Sequence, residues 1–450
     1  AEIEVIGERA TALDIVGSPL ALSTPRVNDE NAGYGLSLIE AGAELTATVS
    51  ETTGTTPSNR YALAGWTLRR ETAEGSVTET SSTPGTKTTC TLTPAKGELA
   101  SLTWLWDVEF KPSITGEGGT VTFDREYYRV GDRMTATATP NAGMGFVKWT
   151  GVPDRLQYAN PLVYYYDSAQ SITAVYAPAL YVTAGGSAGA DGSTPANATT
   201  IQHALSLATN GMVIAVAKGH YGITTTLTVD KGVTVRGLTG DWDDVVFDAT
   251  NKCRVFNLTG SGAVVTGVTA SRGSGAGGGF NIGKSATVAN GRATGCVGSG
   301  YNSGIGACNA GKLYSSLIDG NKSGVFGCAG VINTDWGTPI IDGCVITNNW
   351  TDKGQGTDGT PSGGLRLEGA GGYVRNSFIA YNHVDSWTDL HGERTFAVGV
   401  VVSAGTLENC TIYGNWYNGA GDERITAGVN SAGGTIRNCI IAGNGIRHGK

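Results

Sequence analysis

Acids, bases and aromatic rings crowd three stretches of the C-terminal half: WTDKGQGTDGTPS (350–362), HVDSWTDLHGERT (383–395) and WYNGAGDERIT (416–426). Together they carry Asp352, Asp358, Asp385, Asp389, His391, Glu393, Arg394, Asp422, Glu423 and Arg424, with Trp350, Trp387, Trp416 and Tyr417 among them. Carboxylates beside aromatic rings suit a sugar-binding groove. The rings stack on sugar faces and the acids accept from hydroxyls. His391 or Arg394 could serve as a general base, with Asp385, Asp389, Glu393, Asp422, Glu423 and Arg424 as further catalytic candidates. Asp352 and Asp358 are the weak candidates for a hard cation, and calcium is the one cofactor such chemistry would call for. The competing expectation is a charged loop cluster held down by Glu–Arg pairs.

Three other strings suggest chemistry and lose it on inspection. GGFNIGKS (278–285) fits the G-x-x-x-x-G-K-[ST] pattern of phosphate-binding loops. That mechanism needs a helix after the loop, whereas ATVANGRAT follows here and reads as a strand. Asp241, Asp243 and Asp244 lack the spacing of an EF-hand loop and read as a solvated turn. Asn333-Thr334-Asp335 resembles an element of the polygalacturonases, but Trp336 follows and the paired acid, Gly-His-Gly and Arg-x-Lys elements of that family do not appear in order. The acid pair of glycoside hydrolysis is therefore not assembled around it.

The elements that position the loops follow from a repeated phrase: an aliphatic residue, two residues, a small residue or thiol, one residue, then usually Ile, with Asn three later. It reads LYSSLI before Asn321, IDGCVI before Asn349, VRNSFI before Asn382, LENCTI before Asn415 and IRNCII before Asn444. Weaker copies start at Val235, Val265 and Val288. The anchors Val235, Val265, Val288, Leu313, Ile341, Val374, Leu407 and Ile436 recur every 23 to 33 residues. Strand-sized phrases at this period, without helices between them, predict a parallel β-helix in which each turn buries its aliphatic residues on the next. A buried Asn must satisfy its amide. Asn321, Asn349, Asn382, Asn415 and Asn444 can do so by stacking as a ladder. Cys344, Cys410 and Cys439 share one slot with Ser316 and Ser377, which predicts a soft core column rather than a metal site. Cys308 and Cys328 are the best-placed pair for a disulfide. The three long loops follow ladder Asn residues in consecutive turns and should stack on one side. GKS falls in the slot that holds AGG at 370–372 and 432–434, a turn of the coil.

The segment 179–450 resembles the right-handed parallel β-helix superfamily of pectate lyases and many exported bacterial surface proteins. TIQHALSLATNGMVIAVAKGHYGI followed by LTVDKGVTVRG looks like its capping helix and first turns, with Ile201, Ala204, Leu205 and Ala208 as the apolar stripe. The superfamily includes lyases, hydrolases, adhesins and inert stalks, so the resemblance implies the fold and not the activity.

Upstream, GAELTATV (42–49) and GDRMTATA (131–138) are each followed by a Trp-Thr pair, Trp66-Thr67 and Trp149-Thr150, and then by an alternating strand, Leu102–Trp106 and Ile172–Tyr176. The same order of features implies an internal repeat. The second copy resembles the internalin B-repeat type of bacterial β-module, which implies a spacer or binding role. Trp66 and Trp149 are expected to plug small β-cores rather than to serve as sugar platforms.

The whole is expected to be all-β: a divergent module at 1–110, a β-repeat module at 111–178 and a right-handed parallel β-helix with one capping helix at 179–450. With 16% charged residues, a net charge of −8 and no basic patch, the composition argues against nucleic acid. No nucleotide site and no membrane-spanning run is read. Without a polar cap after Asn444, the coil is expected to continue beyond the sequence. The function expected is that of an exported, extracellular or cell-surface protein that touches a glycan or another cell-surface partner. The alternatives are a polysaccharide lyase or glycoside hydrolase working through 350–426, and a passive stalk.

Overall fold

The computed structural model describes residues 10–446 except 84, 167–170, 299–303, 325–326, 335–336, 353, 357–361, 386, 390–395 and 420–424; at 113–115, 171, 354–356, 387–389, 396 and 425 the backbone alone is described. The chain forms two compact units. One comprises 1–113, 123–134 and 164–171; the other comprises 114–122, 135–163 and 172–450.

In the first unit, strand Leu99–Phe110 lies between Ala12–Ser18, parallel to it, and Asn59–Thr72, antiparallel to it. Period-two alternation puts Ala100, Leu102, Trp104 and Trp106 into the core beside Leu13, Leu63 and Leu68. Trp66 faces Trp104 in register and donates its Nε1–H to the Thr89 carbonyl at 2.9 Å.

The second unit repeats that arrangement before the coil begins. Strand Met144–Thr150 carries Trp149 and runs antiparallel to Ser171–Val182, with Trp149 opposite Ala174. Trp149 is fully buried and donates to the Ala159 carbonyl at 2.7 Å. In both copies the pairing register shifts once, at Leu105/Trp106 and at Phe146/Lys148. Both tryptophans are thus held by the module core.

Strand Ser171–Val182 does not stop at the module. Its last four residues, Ala179–Val182, pair in parallel with Val213–Val216 and start the first sheet of the coil. This shared strand places 135–163 in one compact unit with the β-helix. Helix Ile201–Leu207 lies over the first turn. Its stripe of Ile201, Ala204 and Ala208 is buried, Leu205 packs against the core, and Thr200 caps its start by accepting from the His203 N–H. Lys231 Nζ donates to the carbonyls of Leu205, Ser206 and Ala208 at 2.8–3.0 Å, which satisfies the helix end.

Four parallel sheets run along the coil. The anchor sheet stacks Val235, Val265, Val288, Leu313, Ile341, Val374, Leu407 and Ile436 in unbroken register. A second sheet stacks Ile318, Ile346, Ile379, Ile412 and Ile441. The third stacks Phe256, Phe280, Ala307, Val331, Leu365, Val400 and Val429. Between the second and third, a fourth sheet of very short strands follows the ladder Asn residues. This is a parallel β-helix. Its fold rests on these registers.

The ladder fixes the corner between the second and fourth sheets. Nδ2 of Asn321, Asn349, Asn382 and Asn415 donates to Oδ1 of the next Asn at 2.8, 3.0, 3.0 and 2.9 Å. Each Oδ1 also accepts the backbone N–H of the Asn before it. Two further Asn pairs, absent from the sequence reading, join Asn257 to Asn281 and, in the neighbouring column of the third sheet, Asn309 to Asn333.

All eight cysteines are unpaired, so the Cys308–Cys328 disulfide is not formed. Cys328 lies in the core with its Sγ 3.2 Å from the carbonyls of Val331 and Gly364, while Cys308 stands in the third sheet in register with Ile332. The Cys344, Cys410 and Cys439 thiols sit in the predicted column. Cys344 N–H donates to Ser377 Oγ at 3.1 Å, and burial pushes the Cys344 and Cys410 thiols up to about 12. Lys284 is exposed on the turn from the third sheet to the anchor sheet, and Thr287–Ala289 after it is a strand. Asp243 and Asp244 pair with Arg292 and Lys218, as expected of a solvated turn.

Candidate functional site

The residue after each ladder Asn opens a strand of the fourth sheet, and there the side chain points outward. Register aligns Lys322, Trp350, His383, Trp416 and Gly445. The Asn side chain turns into the coil and is fully buried at 321, 349, 382 and 415. The chain then reverses, so the next residue must face out and the one after it must face in. Ser323, Thr351, Val384 and Tyr417 are the inward set, all buried.

Three rings of the outward row form one stack. The Trp350 and His383 centroids lie 5.9 Å apart with planes inclined by 2°; those of His383 and Trp416 lie 4.8 Å apart at 8°. The spacing follows that of neighbouring strands. Both faces of the imidazole are covered by indoles. The tryptophans turn one face to the stack, and their edges run along the flank of the coil. On the far side of Trp416 the next turn brings Gly445, which has no side chain. The flanking charges are engaged. Lys322 Nζ lies 2.8 Å from Asp352 Oδ2, and Asn418 Nδ2 donates to Asp385 Oδ1 at 3.1 Å.

His383 was missing from the sequence-derived candidates. The signal was present in its position one residue after a ladder Asn, the slot that also gives Trp350 and Trp416. Tyr417 differs from the expectation in the opposite way. It neighbours Trp416 on a strand, so it points inward, where it is 2% exposed and packs with Val384 and Val398. It cannot line an outer groove.

The long loops do begin on one side of the coil. Gly354–Gly356 pairs in parallel with Trp387–Asp389, and Phe396–Ala397 with Ile425–Thr426. Asp389 and Trp387 thus stand on a backbone strand directly beside the preceding loop. Asp358, His391, Glu393, Arg394, Asp422, Glu423 and Arg424 lie outside the described residues, and so does Asp335. Among the described residues, no group of three or more His, Cys, Asp or Glu side chains is placed to hold a metal ion. No described helix is long and apolar enough to cross a membrane. The described surface is therefore a stacked aromatic row bordered by an ion pair and an amide–carboxylate contact.

No curated protein matches the chain. Among solved structures, pectate lyase Pel9A is similar at 16% identity with a TM-score of 0.36, covering 58% of this chain and 79% of that one. Residues 113–180 match the family described as the divergent InlB B-repeat domain, the module whose last strand opens the coil.

Proposed function

We propose that the protein is an exported bacterial surface protein whose β-helix contacts glycan along the fourth sheet. The observation that carries this reading is the Trp350–His383–Trp416 stack at the root of all three long loops. The three rings are partly exposed, and a contiguous aromatic row on a surface is the kind of patch that marks a contact site. A B-repeat module before the coil is consistent with a display role. Trp416, which ends the stack where the next strand offers only Gly445, is the principal contact.

A glycan array with the whole chain tests this. Binding to a defined subset is expected, with a loss of about tenfold or more for Trp416→Ala, in the range of an aromatic hot spot. An array without hits, or hits unchanged in both Trp416→Ala and Trp387→Ala, would overturn it. Incubating the protein with uronate polysaccharides and calcium, while following the ultraviolet absorbance of unsaturated products, tests the lyase alternative in parallel.

A further inference from the structure

The anchor sheet carries a buried cation that nothing above explains. Arg236 follows the anchor Val235, so it points out of the coil, where residues 135–163 of the same compact unit cover it. It is 4% exposed. Nη2 makes both of its hydrogen bonds, to the carbonyls of Val147 at 3.1 Å and Tyr158 at 3.0 Å. The guanidinium stacks 4.7 Å from the centre of the Phe146 ring. Nε has no hydrogen-bond partner, and among the described residues no carboxylate pairs with the charge. Thr266, beside Arg236 in register on the next turn, is also fully buried with its hydroxyl unpartnered.

A cation in this setting is costly. Desolvation pulls the Arg236 pKa down to about 9, with the Tyr158 phenol a minor opposing influence. Buried charges ordinarily have an anion beside them. The two carbonyls supply partial charge only.

Arg236 also lines a cavity of about 240 Å³, against the roughly 30 Å³ that one water occupies in the liquid. The other walls are Thr137, Thr139 and Thr239, the apolar Phe146 and Leu238, and Asn160. Asn160 is fixed by a two-way amide exchange with Ala138, at 3.0 and 2.9 Å. Next to the wall, Gly240 has φ +75° and packs so closely on Asn160 that a Cβ there would meet the Asn160 carbonyl oxygen at 2.2 Å. Leu238, 49% exposed, forms the apolar rim.

We propose that this cavity is a binding site for a small organic carboxylate, with Arg236 as its counter-ion and the threonine hydroxyls and Phe146–Leu238 surface around its body. A monosaccharide acid matches the size and the mixture of polar and apolar wall. The site is separate from the fourth sheet, and its test does not depend on the glycan reading.

Calorimetric titration of the whole chain with glucuronate, acetate and glucose decides it. Saturable binding of glucuronate or acetate is expected, with glucose at least about tenfold weaker, because a charge-assisted hydrogen bond is the difference between them. Arg236→Met should lower carboxylate affinity by about tenfold or more. Since Arg236→Met can also loosen the fold, Leu238→Glu supplies the second arm: it puts a like charge on an exposed rim, should leave the melting temperature unchanged and should weaken carboxylate binding to a similar degree. Three results overturn the proposal: no carboxylate binding to the unaltered protein, glucose binding as well as glucuronate, or carboxylate affinity unchanged in Leu238→Glu. Any of them would leave Arg236 a purely structural tie to Val147 and Tyr158.

Discussion

Replacing Asn382 by Ala removes four hydrogen bonds from the interior of the ladder. Asn382 Nδ2 donates to Asn415 Oδ1 and to the Ile346 carbonyl, both at 3.0 Å; its Oδ1 accepts from Asn349 N–H and from Asn349 Nδ2, both at 3.0 Å. Asn415 Oδ1 keeps the Asn382 backbone N–H. The variant leaves the Asn349 N–H without its acceptor, takes one bond from Asn349 Nδ2, which keeps the Ile318 carbonyl, and removes one donor from the Ile346 carbonyl, all inside a corner that is 0% exposed at 349 and 382. At about 1–3 kcal/mol for a buried group left unpaired, and less where a second bond remains, the cost is about 3 kcal/mol. Asn444→Ala is the matched control. It also takes part in four hydrogen bonds: its Nδ2 donates to the carbonyls of Ile412 and Ala442, and its Oδ1 accepts from the N–H and Nδ2 of Asn415; but residue 444 is partly exposed, so water replaces much of what is lost and about 1 kcal/mol is expected. Because a solenoid can open locally, the assay is native-state hydrogen exchange, read at the amides of Asn349 and Asn382 together with the global urea midpoint. Asn382→Ala should accelerate exchange at Asn349 and at neighbouring turns, and Asn444→Ala only at Asn415 and the last turn. If Asn382→Ala cost no more than Asn444→Ala, the ladder would be an ornament of the corner and not its support.

Other expectations are more local. At mildly alkaline pH the native protein should be alkylated at no more than Cys253, Cys308 and Cys439, the three partly exposed thiols of eight, because burial holds Cys90, Cys296, Cys328, Cys344 and Cys410 at about 12; peptide mapping with and without denaturant checks this. Burial pushes the Asp248 carboxyl up, but bonds from Arg272 and the Thr250 N–H outweigh it and leave its pKa lowered. A carboxyl depressed in the folded state adds stability above its unfolded value and loses it as pH falls. Arg272→Met should therefore lower the melting temperature at neutral pH and narrow the difference from the parent protein in acid. Gly240→Ala should cost about 2 kcal/mol or more by thermal melting, because φ +75° and the Asn160 carbonyl both oppose a Cβ.

Much of the coil was legible because its determinants are one-dimensional. Eight aliphatic anchors set the register, and the structure pairs each with the next. The ladder was legible for the same reason, since a buried amide repeating at the turn period has few ways to be satisfied. The Lys284 turn followed from the register of its slot. What escaped was the consequence of sharp corners. His383 and Tyr417 were judged by residue type, His383 passed over and Tyr417 placed outside, because the two-residue strands after the ladder are too short to show alternation. Counting from Asn382 and Asn415 would have set His383 outward and Tyr417 inward. Arg236 was invisible for a different reason. Its burial depends on a module far back in the chain folding over the first anchor strands, through a strand shared by both, and no local pattern carries that.

The ladder and the aromatic row are two readings of one constraint. An Asn locked inside the corner forces its successor onto the surface at a fixed height, so successive turns present a column whose chemistry is free to vary while its geometry is not. Lys322, Trp350, His383, Trp416 and Gly445 are five choices on that column. The fold requires only that they tolerate a neighbour at strand spacing. Glycine at 445 would serve that purpose anywhere on the column, whereas two indoles around an imidazole meet a demand the core does not make. The inward partners, Ser323, Thr351, Val384 and Tyr417, grow from small to large toward the turns where the loops are long. Tyr417 fills, from inside, the space beneath the stack with Val384 and Val398. The buried ring is thus the support of the partly exposed one: Tyr417→Ala should weaken glycan binding through the position of Trp416, although Tyr417 itself is buried.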